Sequence, residues 1–221
     1  MFKKISIALL FCSLAVQTVK SQEWMPSPDR WYHDSVVKLI GDGYGGSGTV
    51  IKKVGESPLE GYYIGWILTA SHVIESEDTL FYVYFNNGAV VKNGKVVEKS
   101  YFQSDSYCDF GLIEALIPES VKPMEIYEED VPIAATVELA GFGTGVFRHW
   151  SAKYGGDKLD GDGHIVLTWA VQGDSGGPII YKGKVIGIIC FGTGIQKYED
   201  TRRAIVAPVH GTCVSRIKKL D

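Results

Sequence analysis

Cysteine is scarce in this chain, with four residues in 221. One of them, Cys12, lies in a leader-like segment, so Cys108, Cys190 and Cys213 remain. Three scattered cysteines cannot form a disulfide framework, and the fold has to be held by core packing. A basic excess is also missing: 22 Lys and Arg stand against 26 Asp and Glu. That balance argues against a partner bound through phosphate neutralisation, so no nucleic acid is expected. No internal repeat or low-complexity tract is present, and no apolar run reaches the roughly 20 residues needed to cross a bilayer. With 45% apolar residues and 22% charged ones, disorder is excluded as well.

What is present begins with the leader. Lys3 and Lys4 precede an apolar run from Ile5 to Val16, and Val19-Lys20-Ser21 offers a processing site. Residues 1–21 therefore read as a secretory signal peptide. Its removal takes away three lysines and no acid, leaving 19 basic against 26 acidic residues, a formal charge of about −7. The expected product is exported, secreted or periplasmic, acidic and monomeric, with no stable membrane insertion.

Glycine-rich, aromatic-rich composition favours turns and strands. Thr79 to Phe85 alternates, Asn87-Gly88 reads as a turn, Ala89 to Lys92 returns, and Asn93-Gly94 reads as a second turn before Lys95 to Tyr101. A second group of strands is expected at Thr136 to Phe142, Ile165 to Trp169, Pro178 to Tyr181 and Val185 to Cys190, with a turn at Lys182-Gly183. Between the groups, residues 117–132 carry three prolines and an acidic cluster, which suits a surface crossover. This divides the chain into a first β-domain over residues 22–116, the crossover, and a second β-domain over 133–221. The acidic cluster lacks the spacing of a calcium loop. His210 and Cys213 lack the two further ligands a metal site would need, so no metal or cofactor is expected. Only residues 211–220 show helical spacing.

Gly173-Asp174-Ser175-Gly176-Gly177-Pro178 carries the strongest chemical signal. A serine among glycines lets backbone amides approach a substrate, and such a serine is a candidate nucleophile. It needs a base and a carboxylate to orient that base. His72, in Thr69-Ala70-Ser71-His72-Val73, and Asp109, in Cys108-Asp109-Phe110-Gly111, supply them. Gly173-x-Ser175-x-Gly177, with Asp200 and His210 behind it, also fits the nucleophile elbow of α/β-hydrolases. That elbow leads into a helix, whereas here Pro178 opens a β-branched strand. The other histidines, His33, His149, His164 and His210, have no motif around them and read as surface or structural.

These three motifs, in the order His, Asp, Ser, resemble those of the trypsin-like serine peptidases of the chymotrypsin fold. Leu139-Ala140-Gly141-Phe142-Gly143 is similar to that family's Gly-aromatic-Gly strand, and Val214 to Leu220 to its terminal helix. Gly46-Ser47-Gly48-Thr49-Val50-Ile51 and the lack of disulfides look most like bacterial exported members. The resemblance implies an all-β fold of two six-stranded antiparallel β-barrels with a C-terminal α-helix. It implies a secreted endopeptidase acting on polypeptides through an acyl-enzyme, with His72, Asp109 and Ser175 catalytic and the amides of Gly173 and Ser175 as oxyanion hole. Gln172, Ile189, Cys190, Phe191 and Gly192 would contact substrate.

Three departures from the family matter. Trp169 stands where Arg or Lys specificity would require a carboxylate, and Val171, Ile189 and Ala204 add apolar walls, so a small or medium apolar residue is the expected preference. Cys190 replaces a serine that usually donates to the catalytic aspartate, and a thiol is a weaker donor. Asp174, which many relatives pair with a new N-terminal amine, has no Ile-Val-Gly-Gly start to meet it. Its expected partner is either the amine exposed at Gln22 or an internal group, with no zymogen step beyond signal removal. Trp169 and Cys190 also leave a second class open: a trypsin-fold protein that binds polypeptides or acts as a chaperone without turnover.

Overall fold

The computed structural model describes residues 31–41, 43, 45–74, 76–99, 109–157, 164–168, 170–191 and 206–207. Six strands, β1 (Val36–Ile40), β2 (Gly45–Glu56), β3 (Tyr62–Thr69), β4 (Leu80–Phe85), β5 (Val90–Lys99) and β6 (Gly111–Pro118), close an antiparallel barrel in the order β1-β2-β3-β6-β5-β4. Period-two alternation drives the closure. In β4, Phe81, Val83 and Phe85 point inward and are buried, while Tyr82 and Tyr84 between them face outward. Inside, they meet Leu39, Ile67, Leu68, Leu112 and Ile113, all essentially without exposure. Strand β1 is an exception to alternation: Val36 packs outward against Ala140 and Phe142 of the second half.

Of the two Asn-Gly pairs, only the first makes a turn. At Asn87-Gly88 the glycine takes φ 88° and Asn87 Oδ1 accepts the amide of Ala89 at 3.0 Å. Asn93-Gly94 instead lies inside β5, which runs unbroken from Val90 to Lys99. The pairing with β4 passes from Phe81–Gly94 to Tyr82–Lys92, so Asn93 is an extra residue, a bulge. A Cβ at Gly94 would lie 3.0 Å from both Phe81 Cβ and Ile113 Cγ2, so the strand interior needs a glycine for contact rather than for reversal. The dipeptide interrupts the alternation in the same way whether the chain turns or bulges, and the flanking partners β4 and β6 decide the outcome.

Among the described residues the second half forms a seven-stranded antiparallel sheet from β7 (Thr136–Gly141), β8 (Arg148–Asp157), β9 (His164–Leu167), β10 (Pro178–Tyr181), β11 (Lys184–Ile188), β12 (Cys190–Phe191) and β13 (Val206–Ala207), where a six-stranded barrel was expected. Its order is β11-β10-β7-β8-β9-β13-β12, and Ile189 alone separates the two end strands in sequence. Strand β8 escaped the sequence reading because Gly155-Gly156 and the run Arg148-His149-Trp150 blur its pattern; Ala152 and Tyr154, buried at alternate positions, were the available signal. The reversal at Lys182-Gly183 stands as expected, with φ of 50° and 76°. The leader 1–21 and the tail 211–220 lie outside the described residues.

Residues 119–135 join the two halves and are bonded to both. Val121 and Met124 are buried in the first core, and Met124 N donates to Val50 O at 2.8 Å. Tyr127 N and Val185 O, and Val185 N and Glu125 O, bond at 2.8 Å on the other side. Near the start of the described chain, Tyr32 Oη donates to Glu138 Oε2 at 2.5 Å, and His149 Nε2 meets the same oxygen at 2.5 Å. The buried side chains of His33 and His149 face each other with ring centroids 4.8 Å apart.

The close fit of β2 can be tested at Gly48. A Cβ there would meet Ile67 Cγ2 at 2.6 Å, Leu39 Cδ1 at 3.1 Å and Leu68 O at 3.2 Å. Gly48→Ala is expected to destabilise the protein by about 1–3 kcal/mol through overpacking, read as a lower denaturant midpoint at unchanged slope. An unchanged midpoint would contradict the packing described.

Candidate active site

Strand β3 ends at Thr69, and a single 3-10 turn, Ser71–Val73, follows. This places His72 on the rim of the first barrel, half-exposed, while Ser71 and Val73 turn inward. Asp109 precedes β6, the neighbour of β3 in the barrel, so the two strand ends lie side by side. His72 Nδ1 and Asp109 Oδ2 are 2.6 Å apart. A carboxylate only accepts, so Nδ1 carries the hydrogen and Nε2 is left as the basic nitrogen. The other carboxylate oxygen accepts the amide of His72 at 3.0 Å and the hydroxyl of Ser71 at 2.7 Å.

Burial pushes the Asp109 carboxyl up, but the hydrogen bond and charge of His72, the Ser71 hydroxyl and the His72 amide outweigh it and hold the group at about 2. Ser71 was not singled out from sequence. It gives Asp109 a hydroxyl donor where Cys190 was expected to offer a weak one. The Cys190 thiol instead faces the backbone carbonyl of Asp109, at 3.6 Å, and that of Ile188, at 3.9 Å. Cys190 is buried and in the thiol form. Cys108 lies outside the described residues.

The Ser175 turn is laid against this rim by missing side chains. A Cβ on Gly46 would sit 2.7 Å from Val73 Cγ2 and 2.9 Å from Ser175 O, so the residue after His72 and the candidate nucleophile flank one glycine. Gly176, at φ 84°, leaves no room for a Cβ between Ser47 O and Thr69 Oγ1, each 2.2 Å away. Ser175 itself is 5% exposed. Its Oγ makes no hydrogen bond among the described residues. The structure thus brings His72 and Asp109 into contact and Ser175 alongside, without a direct Ser175–His72 bond; such bonds commonly tighten only with substrate.

Hydrogen bonding around the turn leaves two donors over. The amides of Asp174, Gly176 and Gly177 go to Val171 O at 3.0 Å, Ile189 O at 2.7 Å and Asp174 O at 2.9 Å. Those of Gly173 and Ser175 donate to nothing among the described residues. Thr144 N holds the carbonyl of Gln172 at 3.0 Å. Because a trans peptide points its C=O and N–H in opposite directions, that bond aims the Gly173 N–H away from Thr144. Two unpaired amides, one on each side of Asp174, are the kind of donor an oxyanion site uses.

Under the turn, Asp174 is fully buried. Oδ1 accepts the amide of Gly143 at 2.8 Å, Oδ2 accepts that of Val171 at 2.8 Å, and Arg148 Nη1 stands 3.3 Å from Oδ2. Burial pushes this carboxyl up, against the pull of the Val171 amide, Arg148 and the Gly143 amide. An internal counter-ion is thus present in Arg148, on β8, the strand the sequence reading missed, while Gln22 lies outside the described residues. Phe142 and Gly143 come from the Gly-aromatic-Gly segment, and Gly143 is obligatory, since a Cβ there would come within 2.5 Å of Asp174 Oδ1.

The matched sequence profile decides the family: the trypsin-like peptidase domain covers residues 46–188, well over half of the chain. The chain belongs to the trypsin-like peptidase family. Three solved structures share its fold. Rv3671c from M. tuberculosis in an inactive form has a TM-score of 0.59 and 20% identity over 89% of this chain and 94% of that one. The serine endoprotease from Yersinia pestis gives 0.66 and 16%, over 90% and 67%. The HtrA-type protease AlgW with a tripeptide gives 0.63 and 16%, over 88% and 63%. At these identities the likeness is one of fold.

Of the expected substrate contacts, Gln172 is exposed beside the two amides, and Ile189 is fully buried in the second core. The backbone of Phe191 pairs with Val206. Trp169, Gly192 and Ala204 lie outside the described residues, as do Asp200 and His210 of the hydrolase alternative. Among the described residues no group of His, Cys, Asp or Glu could hold a metal ion.

The Asp109 network has a pH signature. Its folded value of about 2 lies below the ordinary 3.8, so its stabilisation is complete above about pH 4 and is lost as pH falls towards 2. The size is about 2 kcal/mol, for a side chain only 13% exposed. The stability difference between wild type and Asp109→Asn is expected to shrink across that window in acid denaturation curves. A difference that stays constant from pH 5 to about pH 2 would contradict it.

Proposed function

We propose that this chain is a secreted or periplasmic serine endopeptidase that hydrolyses polypeptides through an acyl-enzyme. Ser175 Oγ attacks the scissile carbonyl, His72 Nε2 takes its proton and later returns one to the leaving amine, and Asp109 keeps the imidazole oriented and stabilises its charged form. The amides of Gly173 and Ser175 receive the oxyanion. The observation that carries this reading is the pairing of an Asp109-bound His72 with two unoccupied amides on either side of Asp174, at a turn pressed against the strand end that leads to His72. The domain limits set out from the sequence belong to this reading, with a second barrel that closes through Ile189 and a terminal helix over 211–220. Preference for a small or medium apolar residue rather than Arg or Lys follows from Trp169 and Val171. The partner is a polypeptide substrate, neither nucleic acid nor bilayer, and the enzyme acts as a monomer. No helix among the described residues is long and apolar enough to cross a membrane.

A fluorescent peptidyl phosphonate tests the assignment. Wild-type protein is expected to be labelled at Ser175, and Ser175→Ala to lose labelling and at least roughly 10^4-fold of cleavage while keeping its fold. Turnover without labelling would reject the nucleophile, and a folded wild type that neither cleaves nor labels would favour the binding or chaperone-like class.

Activation should need no internal cleavage, because Arg148 already meets Asp174. Active material is expected to begin near Gln22 on N-terminal sequencing. Arg148→Met, which strands a buried charge, is expected to lose about 2–4 kcal/mol of stability, the remaining two amides keeping the loss below that of a wholly unpaired ion. Its activity should fall with the oxyanion turn. An active form that begins well inside the chain, for example at Trp31, would overturn the internal counter-ion.

A further inference from the structure

Ser47 belongs to β2 of the first barrel and is fully buried, yet its polar atoms are directed mostly at the second half of the molecule. Its amide donates to Ser175 O at 2.7 Å. Its hydroxyl donates to Gly173 O at 2.7 Å and accepts from Phe142 N at 2.8 Å. Its carbonyl accepts the Thr69 hydroxyl at 2.7 Å, which ties it to the strand end that leads to His72. One residue of the first barrel thus holds two carbonyls of the nucleophile turn, across more than 120 positions of chain.

The need for such an anchor follows from Gly173. It stands at φ 98°, where a Cβ would meet Phe142 O at 2.7 Å, so the position has to be glycine. Glycine has no side chain to restrain its own backbone. The direction of its N–H depends on the two peptide planes that flank it. Thr144 N pins the plane before Gly173 through Gln172 O, and the Ser47 hydroxyl pins the plane after it through Gly173 O. On the far side, Gly177 N pins the Asp174 carbonyl, and Ser47 N pins that of Ser175.

We propose that Ser47 is a positioning residue of the oxyanion turn, its hydroxyl relaying from the Phe142 amide to the Gly173 carbonyl and so holding the Gly173 and Ser175 amides in their donating direction. The proposal rests on the peptidase reading above. Ser47 touches neither substrate nor the reacting atoms; it acts through Gly173 and Ser175. Losing its hydroxyl leaves the plane after Gly173 held only by the Asp174 amide's bond to Val171 O at 3.0 Å, and strands a buried donor and a buried acceptor.

The test is Ser47→Ala in the full mature chain, with a peptide substrate chosen from a library cleavage profile and a peptidyl boronate of the same sequence. Expected is a fall in kcat of about tenfold or more, with KM held within about twofold. Boronate affinity should fall in step with kcat/KM, since both report the tetrahedral state. Hydrogen exchange at the Phe142 amide should accelerate, which reads the broken bond without any turnover. Ser47→Cys, a weaker donor and acceptor in the same place, should fall between, and it stands in if the alanine variant does not fold. Faster Phe142 exchange with unchanged kcat and boronate affinity would make Ser47 merely structural and overturn the proposal. A wild type that neither cleaves the library nor binds the boronate overturns the peptidase reading instead, and that result comes before any variant is made.

Discussion

A carboxylate with no access to water, Asp174, governs the geometry of everything around it. Removing such an ion from solvent costs several kcal/mol, and the fold must supply donors at fixed places or lose it. Three are supplied, from Gly143, Val171 and Arg148, each on a different stretch of chain. Meeting them fixes the residues on either side of Asp174 in turn. Gly173 and Ser175 therefore stand in defined directions before any substrate arrives, which is the condition for electrostatic stabilisation without reorganisation.

The family and the residues of the candidate site could be picked out along the chain because they sit in short motifs. The Ser175 turn carries glycine where geometry demands it, Gly176 at a positive φ, while Gly46 and Gly143 are glycine for close contact with that turn. The supports were hidden for the opposite reason. Ser71 stands beside His72 and Ser47 inside Gly46-Ser47-Gly48, yet their roles, like that of Arg148, are set by partners elsewhere in the fold. Arg148 was doubly concealed, because the pattern of β8 is broken by two glycines. Asp174 was legible as a question, a buried acid in want of a partner, but the answer required the register that pairs Gly141 with Arg148.

For the fold, alternation was sufficient where one face met the core and water lay on the other, as in β4. It failed where neighbours on both sides supplied the hydrogen bonds, as at Asn93-Gly94 in β5, where a turn signal became a bulge. Strand endings follow the same logic. β3 stops at Thr69, whose hydroxyl donates to Ser47 O of β2 at 2.7 Å, so the strand end is tied to its neighbour within the first barrel.

The connection between the halves has a mechanical meaning. Residues 119–135 do not hang between two independent bodies: Val121 and Met124 lie in one core while the neighbouring backbone completes the edge of the other sheet. A second tie is made by Tyr32 and His149, which share one oxygen of Glu138. A cut anywhere in the crossover would leave each piece with exposed apolar side chains and unpaired edge amides. The chain should thus melt as one cooperative body, its two halves joined rigidly rather than hinged.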